Sequence, residues 1–208
     1  MDLLVVQQID SSLLAISLSE DDLMTPFFLT IQESPNTISD FVGFTAHISW
    51  NGIVQETYPA QISATTIERL EKSDSPLFLY LSALQELATT DSALSDSITE
   101  AAFNLDGIKN LTVLEKEALT YVGGSYFNVT GYQSTFKQLE QDGKIKDGTF
   151  TNGIYIEIQG ESLNSSHTKV KFSMSKYRSG DGAYYFSDCV GRYKKDAWTY
   201  TIGAHMIS

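Results

Sequence analysis

Period-two alternation between residues 150 and 207 constrains this chain more than any other feature. Ile154, Ile156 and Ile158 alternate with Tyr155, Glu157 and Gln159, and Val170, Phe172 and Met174 alternate with Lys169, Lys171 and Ser173. After a glycine-rich turn come Ala183-Tyr184-Tyr185-Phe186, and then Trp198, Tyr200 and Ile202 alternating with Thr199 and Thr201. Successive strand residues point to opposite faces, so this pattern predicts a four-strand meander with one buried face. Helices can pack on that face, but a meander by itself carries no chemistry.

The segments before it take both textures. Leu3–Ile9 and Leu13–Leu18 flank Asp10-Ser11-Ser12 and read as a hairpin; the first run barely alternates, as a strand buried on both faces would. Ser19-Glu20-Asp21-Asp22 reads as a charged loop or a helix start, Phe27–Ile31 as a third strand, and Ser34-Pro35-Asn36 as its end. Asn51-Gly52 stands between Phe44–Trp50 and Ile53–Tyr58, the residue pair preferred in a type I′ hairpin turn. From Thr65 a helical block is expected. Thr65 and Glu68 have capping-box spacing, and Ser75-Pro76 open a helix with Leu77, Tyr80, Leu81, Leu84 and Leu87 or Ala88 on one face. A third helix is expected from Asp91 or Ser92 through Leu94, Ile98, Ala101, Ala102 and Leu105, and a fourth from Thr112 to Val122, stopped by Gly123-Gly124. Gln133–Gln141 fits one more short helix.

The expected fold is therefore α+β: a mainly antiparallel sheet of hairpins and a C-terminal meander, with a helical block inserted at about residues 65–122 and no parallel crossovers. One domain over 1–208 is the economical arrangement, with a subdivision near 123 as the alternative. The expected core comprises Ile154, Ile156, Ile158, Val170, Phe172, Met174, Trp198, Tyr200 and Ile202, with Leu77, Leu81, Leu84, Leu94 and Ile98 from helices.

Charge is divided along the chain. The net charge is −12. Residues 1–104 hold two basic side chains, Arg69 and Lys72, against fifteen acidic ones; residues 105–208 hold twelve basic and eleven acidic. The acidic half opposes nucleic acid and anionic membrane, and no segment approaches the ~18 apolar residues of a membrane helix. The N-terminal residues lack a basic flank and a long apolar run, so no signal peptide is expected, and a cytoplasmic protein, or one incorporated into an assembly after cytoplasmic synthesis, is. A single cysteine, Cys189, forms no internal disulfide. The sequons at Asn110, Asn128 and Asn164 are expected by chance in a chain this rich in serine and threonine.

Chemical reagents are scarce. His47, His167 and His205 lie far apart in sequence with no ligand spacing, and Cys189 follows an aspartate, which works against a thiolate. The glycines have neither the lysine nor the strand-to-helix setting of a phosphate loop. No cofactor, metal or catalytic residue is expected, and an enzyme is the less favoured reading. The constellation that stands out is aromatic and basic: Arg178 before one turn, and Arg192, Tyr193, Lys194 and Lys195 before the last strand. Consecutive turns of a meander lie at opposite ends of the sheet, so these residues do not form one groove. They suit a protein partner or self-association. The expected function is a non-enzymatic interaction or structural protein, such as a component of a virion or secretion-type machine. The alternatives are an acidic inhibitor or immunity-type protein for a basic partner, and a small-ligand or carbohydrate binder.

Overall fold

The computed structural model describes residues 1–19, 23–32 and 38–208. The expected charged loop at Glu20-Asp21-Asp22 and the strand end at Ser34-Pro35-Asn36 lie outside the described residues. The chain forms two units, one of residues 1–74 with 112–118 and one of residues 75–111 with 119–208.

In the first unit, β1 (Asp2–Ile9), β2 (Ser12–Ser17), β3 (Phe27–Ile31), β4 (Phe44–Gln55) and β5 (Ala60–Lys72) close into a barrel of order β1-β2-β3-β5-β4. Every pair is antiparallel except β3 with β5. Closure leaves no free edge to template aggregation. Leu3, Val5, Leu13, Ala15, Phe27, Leu29, Ala46, Ile48, Ile62 and Ala64 fill one core cluster, mixing large and small side chains as a narrow barrel requires. Leu4, Val6, Leu14 and Ile16, on the other face of β1 and β2, are buried as well. Burial on both faces is why the first run barely alternates.

Two local expectations fail in the barrel. Asn51-Gly52 does not reverse the chain. Trp50 pairs with Ala64 and Val54 with Ile62, so residues 51–53 bulge opposite Ser63 within one long strand. Only Gly52 has a positive φ, where a type I′ turn needs two, and the Asn51 side chain accepts the Ile53 N–H at 3.0 Å. Thr65–Lys72 is not helix but the end of β5, paired with β4. Most of its side chains are exposed on both faces, so no apolar period marks it as strand.

The second unit carries α1 (Leu77–Thr89), β6 (Glu100–Asn104), α2 (Val113–Tyr126, whose residues through Ala118 group with the first unit), β7 (Thr130–Gln133) and α3 (Phe136–Gln141). The hairpin β8 (Ile145–Lys146) and β9 (Thr149–Phe150) follows, and then β10 (Gly153–Gly160), β11 (Lys169–Ser179), β12 (Gly182–Lys194), β13 (Ala197–Thr201) and β14 (Ala204–Ile207). The sheet runs β13-β12-β11-β10-β6-β7, and β14 also pairs with β12. The meander is present, and the α+β class with mainly antiparallel sheets holds. Ser75 opens α1 by accepting the Leu77 N–H at 3.1 Å. Thr135 caps α3 by accepting the Gln138 N–H at 3.2 Å.

The expected helix over 92–105 is instead a 3₁₀ turn, Ser92–Ser95, followed by β6. β6 is parallel to both β10 and β7, and β6–α2–β7 is a parallel crossover of the kind not expected. Ala101, Ala102 and Phe103 are fully buried, and a strand buried on both faces shows no period two. Gly123 and Gly124 lie inside α2 and do not stop it.

Of the expected core, Ile154, Ile156, Ile158, Val170, Phe172, Met174, Leu77, Leu81 and Leu84 are buried. Trp198, Tyr200, Ile202, Leu94 and Ile98 are only half-buried, since they sit on the edge strand and in connecting segments. Tyr155, expected to face water, is buried in a second cluster with Ala102, Leu139, Ile145 and Phe150.

Candidate functional site

One face of the meander is covered by α1. Tyr80 stacks edge-on against Phe172 at 5.7 Å between centroids, a Cβ on Gly191 would meet Leu79 at 2.3 Å, and Tyr200 Oη reaches Glu86 Oε2 at 2.5 Å. Burial, and then the Glu86 carboxylate, push the Tyr200 hydroxyl far above its ordinary range. The opposite face is open over much of its length, and it carries the residues that can meet a ligand or partner.

Strand register sets out that open face in rows. Gln159 pairs with Ser173, which faces the bulged residues 187–188 of β12; Lys171 pairs with Val190, and Lys169 with Arg192. Lys194 follows two residues after Arg192 and shares its face. Lys169, Lys171, Arg192 and Lys194 are all exposed, and none makes a side-chain hydrogen bond or ion pair among the described residues. Two like charges directly opposite across strands repel. Lys169 and Arg192 are such a pair, so the end of the open face is a cationic band with no internal neutralisation.

A groove of about 670 Å³ adjoins the band, lined among others by Lys109, Gln159, Glu161, Lys171, Ser173 and Asp188. Asp188 sits in the β-bulge of β12 with φ of 52°. A smaller cleft of about 180 Å³ at the ends of β6 and β7, lined by Asn104, Asp106, Gln133 and Thr135, has neither a histidine nor a cysteine in its lining.

The residues singled out in the sequence divide into two groups. Arg192 and Lys194 stand in the band. Tyr193 points to the other face and packs on Trp198 at 5.5 Å. Lys195 forms, with Asp196, the two-residue turn between β12 and β13; both have positive φ, the geometry expected at Asn51-Gly52. Arg178 lies toward the other end of the sheet, where its guanidinium donates to the carbonyls of Leu94 (3.3 Å), Asp96 (2.7 Å) and Thr151 (3.2 Å). Arg178 is a clamp between chain segments. Lys169 and Lys171 were missed as site residues, although their alternation with Val170 and Phe172 places them outward; the register that sets Lys169 beside Arg192 is the missing information.

The groups with the greatest chemical potential are occupied structurally. Burial pushes the Cys189 thiol up to about 11, despite the Gly203 N–H. His47 Nδ1 meets Asp2 Oδ1 at 2.6 Å in an exposed pair on the barrel, and His205 Nδ1 meets Tyr184 Oη at 3.2 Å. Among the described residues, no three His, Cys, Asp or Glu side chains gather as a metal site, and no helix is long and apolar enough to cross a membrane.

No family model matches the chain, and comparison with curated proteins and with solved structures finds no similar one.

Proposed function

We propose that this chain is a non-enzymatic assembly protein that associates with further copies of itself head to tail, the cationic band on the open sheet face docking on the acidic barrel unit of another copy. The observation that carries the reading is the unneutralised Lys169/Arg192 pair, flanked on its own face by Lys171 and Lys194. A fold that keeps four cations together with no ion pair among the described residues stands to gain when a negative surface covers them. The complementary surface is on the same chain. Residues 1–74 hold two basic and eleven acidic side chains, and Asp2, Asp10, Asp40, Glu56, Glu68 and Glu71 are exposed. The overall charge of −12 opposes nucleic acid as the occupant. Contacts between two different patches close into a ring or propagate as a filament, which is how a structural component is built. Cytoplasmic synthesis suits the single buried cysteine.

Sedimentation velocity of the whole chain over a range of protein and salt concentrations tests the reading. The expected result is a concentration-dependent series of oligomers that shrinks as salt rises. A chain that stays monomeric in low salt at every concentration overturns it.

A further inference from the structure

The groove beside the cationic band has features that self-association does not use. In β12, Ser187 and Asp188 together oppose the single residue Ser173, and there the strand bulges. Bulges re-aim side chains, and they are enriched next to sites. Asp188 has φ of 52°, a left-handed conformation that aspartate adopts more readily than most residues with a Cβ. It lies against Gly203. A Cβ on that glycine would lie 2.6 Å from Asp188 Cβ, and the Gly203 N–H donates to the Ser187 carbonyl at 3.1 Å. The same point divides the sheet edge, with β14 pairing before it and β13 after it along β12. The fold therefore sets the backbone of one acidic residue in a bulge at the groove, with its carboxylate exposed.

The charges around Asp188 are mixed and apart. Lys109 and Lys171 bring ammonium groups to the lining, and Glu161 brings a second carboxylate. None of these four side chains forms an ion pair or hydrogen bond with another described residue. A simple anion would meet two carboxylates, and a simple cation two ammonium groups. A molecule carrying both signs can satisfy each set at once. A neutral sugar is less suited: the one aromatic lining residue, Phe172, is buried beneath α1 and offers no platform. Gln159 and Ser173 add neutral donors and acceptors between the charged groups. The volume of about 670 Å³ falls within the ordinary range for small-molecule sites, and exceeds what a single amino acid fills.

We infer that this groove binds a small zwitterion of the short-peptide class, its ammonium groups toward Asp188 and Glu161 and its carboxylates toward Lys171 and Lys109. The groove shares Lys171 with the cationic band, while Asp188, Glu161 and Lys109 belong to the groove and Lys169, Arg192 and Lys194 to the band alone.

The test is a titration of the isotope-labelled full chain, at a concentration where it sediments as a monomer, followed by amide chemical shifts. The probe is the dipeptide Glu-Lys with free termini; glutarate and 1,5-diaminopentane carry single signs, and maltose is neutral. Saturable shifts at Gly107, Gly160, Ser173 and Asp188 with the dipeptide are expected, with each other probe weaker by about tenfold or more, the effect of one lost charge-assisted hydrogen bond. Asp188→Asn and Lys171→Gln should each weaken the dipeptide by about the same factor, while Lys194→Glu leaves it unchanged. Lys171 is exposed on a strand surface, so its variant keeps the test decisive if Asp188→Asn does not fold. Absence of saturable shifts, equal binding of maltose, or unchanged affinity in Lys171→Gln overturns the inference.

Discussion

An ammonium group buried as deeply as a core leucine must have each of its protons placed. Lys176, inside β11, is such a group. Its Nζ donates to the carbonyls of Ala88 (3.5 Å), Asp91 (3.0 Å) and Thr90, at and just beyond the C-terminal end of α1. The Asp91 carbonyl also accepts the Leu94 N–H at 3.2 Å, whereas those of Ala88 and Thr90 take no backbone donor among the described residues and sit at the negative end of the helix dipole, so one side chain satisfies the end of α1. Burial still weighs against the charge and brings the ammonium down to about 8, with Asp91 opposing in part. Between that value and its ordinary 10.5, the unfolded chain binds more protons at this site than the folded one. The contribution of Lys176 to stability is therefore smallest below pH 8 and rises as the pH climbs through that window. Lys176→Met, which strands the carbonyls, should cost about 1–3 kcal/mol at neutral pH, and denaturant midpoints should show the wild type pulling further ahead of the variant between pH 8 and 10. An advantage that shrinks over that range contradicts this account. Alternation legibly places Lys176 on the inner face after Phe172 and Met174. What the sequence leaves out is the end of a helix some ninety residues earlier, whose carbonyls receive the ammonium.

Among the elements, α2 and β7 approach more closely than any pattern announces. A Cβ on Gly124 would lie 2.4 Å from the Gly131 nitrogen, and one on Gly131 would lie 2.4 Å from the Thr120 carbonyl oxygen. The two glycines are a contact seam between helix and strand. Gly124→Ala sets two effects against each other: alanine favours helix by about 1 kcal/mol, whereas overpacking against backbone costs about 1–3 kcal/mol. Backbone cannot swing aside, so the variant should melt lower, and Gly131→Ala lower too. A rise in melting temperature for Gly124→Ala would show that the seam yields. The glycine pair was readable as special but not as packing, because a helix stop and a close approach call for the same residue. β6 was misread for a related reason: Ala101, Ala102 and Phe103 have no period once both faces are buried, and only pairing with β10 and β7 makes them strand. Where one face meets water, as in β10 and β11, the alternation identified the strands.

At the scale of the whole molecule, the divided charge was plain in the sequence, and only register turned part of it into a surface. That surface allows folding to be separated from association. Lys169→Glu places a carboxylate directly opposite Arg192, replacing repulsion by attraction worth about 0.2–1 kcal/mol across the strands. The variant should melt at the same temperature as the wild type or slightly higher. Its oligomers should nevertheless weaken, because the band loses charge, and they should weaken most in low salt, where charges act beyond the ~8–10 Å of physiological screening. Lys194→Glu with Lys195→Glu should likewise weaken assembly in low salt, with little change in melting. Arg178→Gln is the reverse control. It removes a guanidinium that donates to three carbonyls and should cost about 1–3 kcal/mol in stability, while the salt dependence of sedimentation stays as in the wild type. Sedimentation of these variants at two salt concentrations, beside their melting curves, separates a surface kept for assembly from solvated charge. Lys169→Glu that assembles as well as wild type in low salt removes the band from the contact.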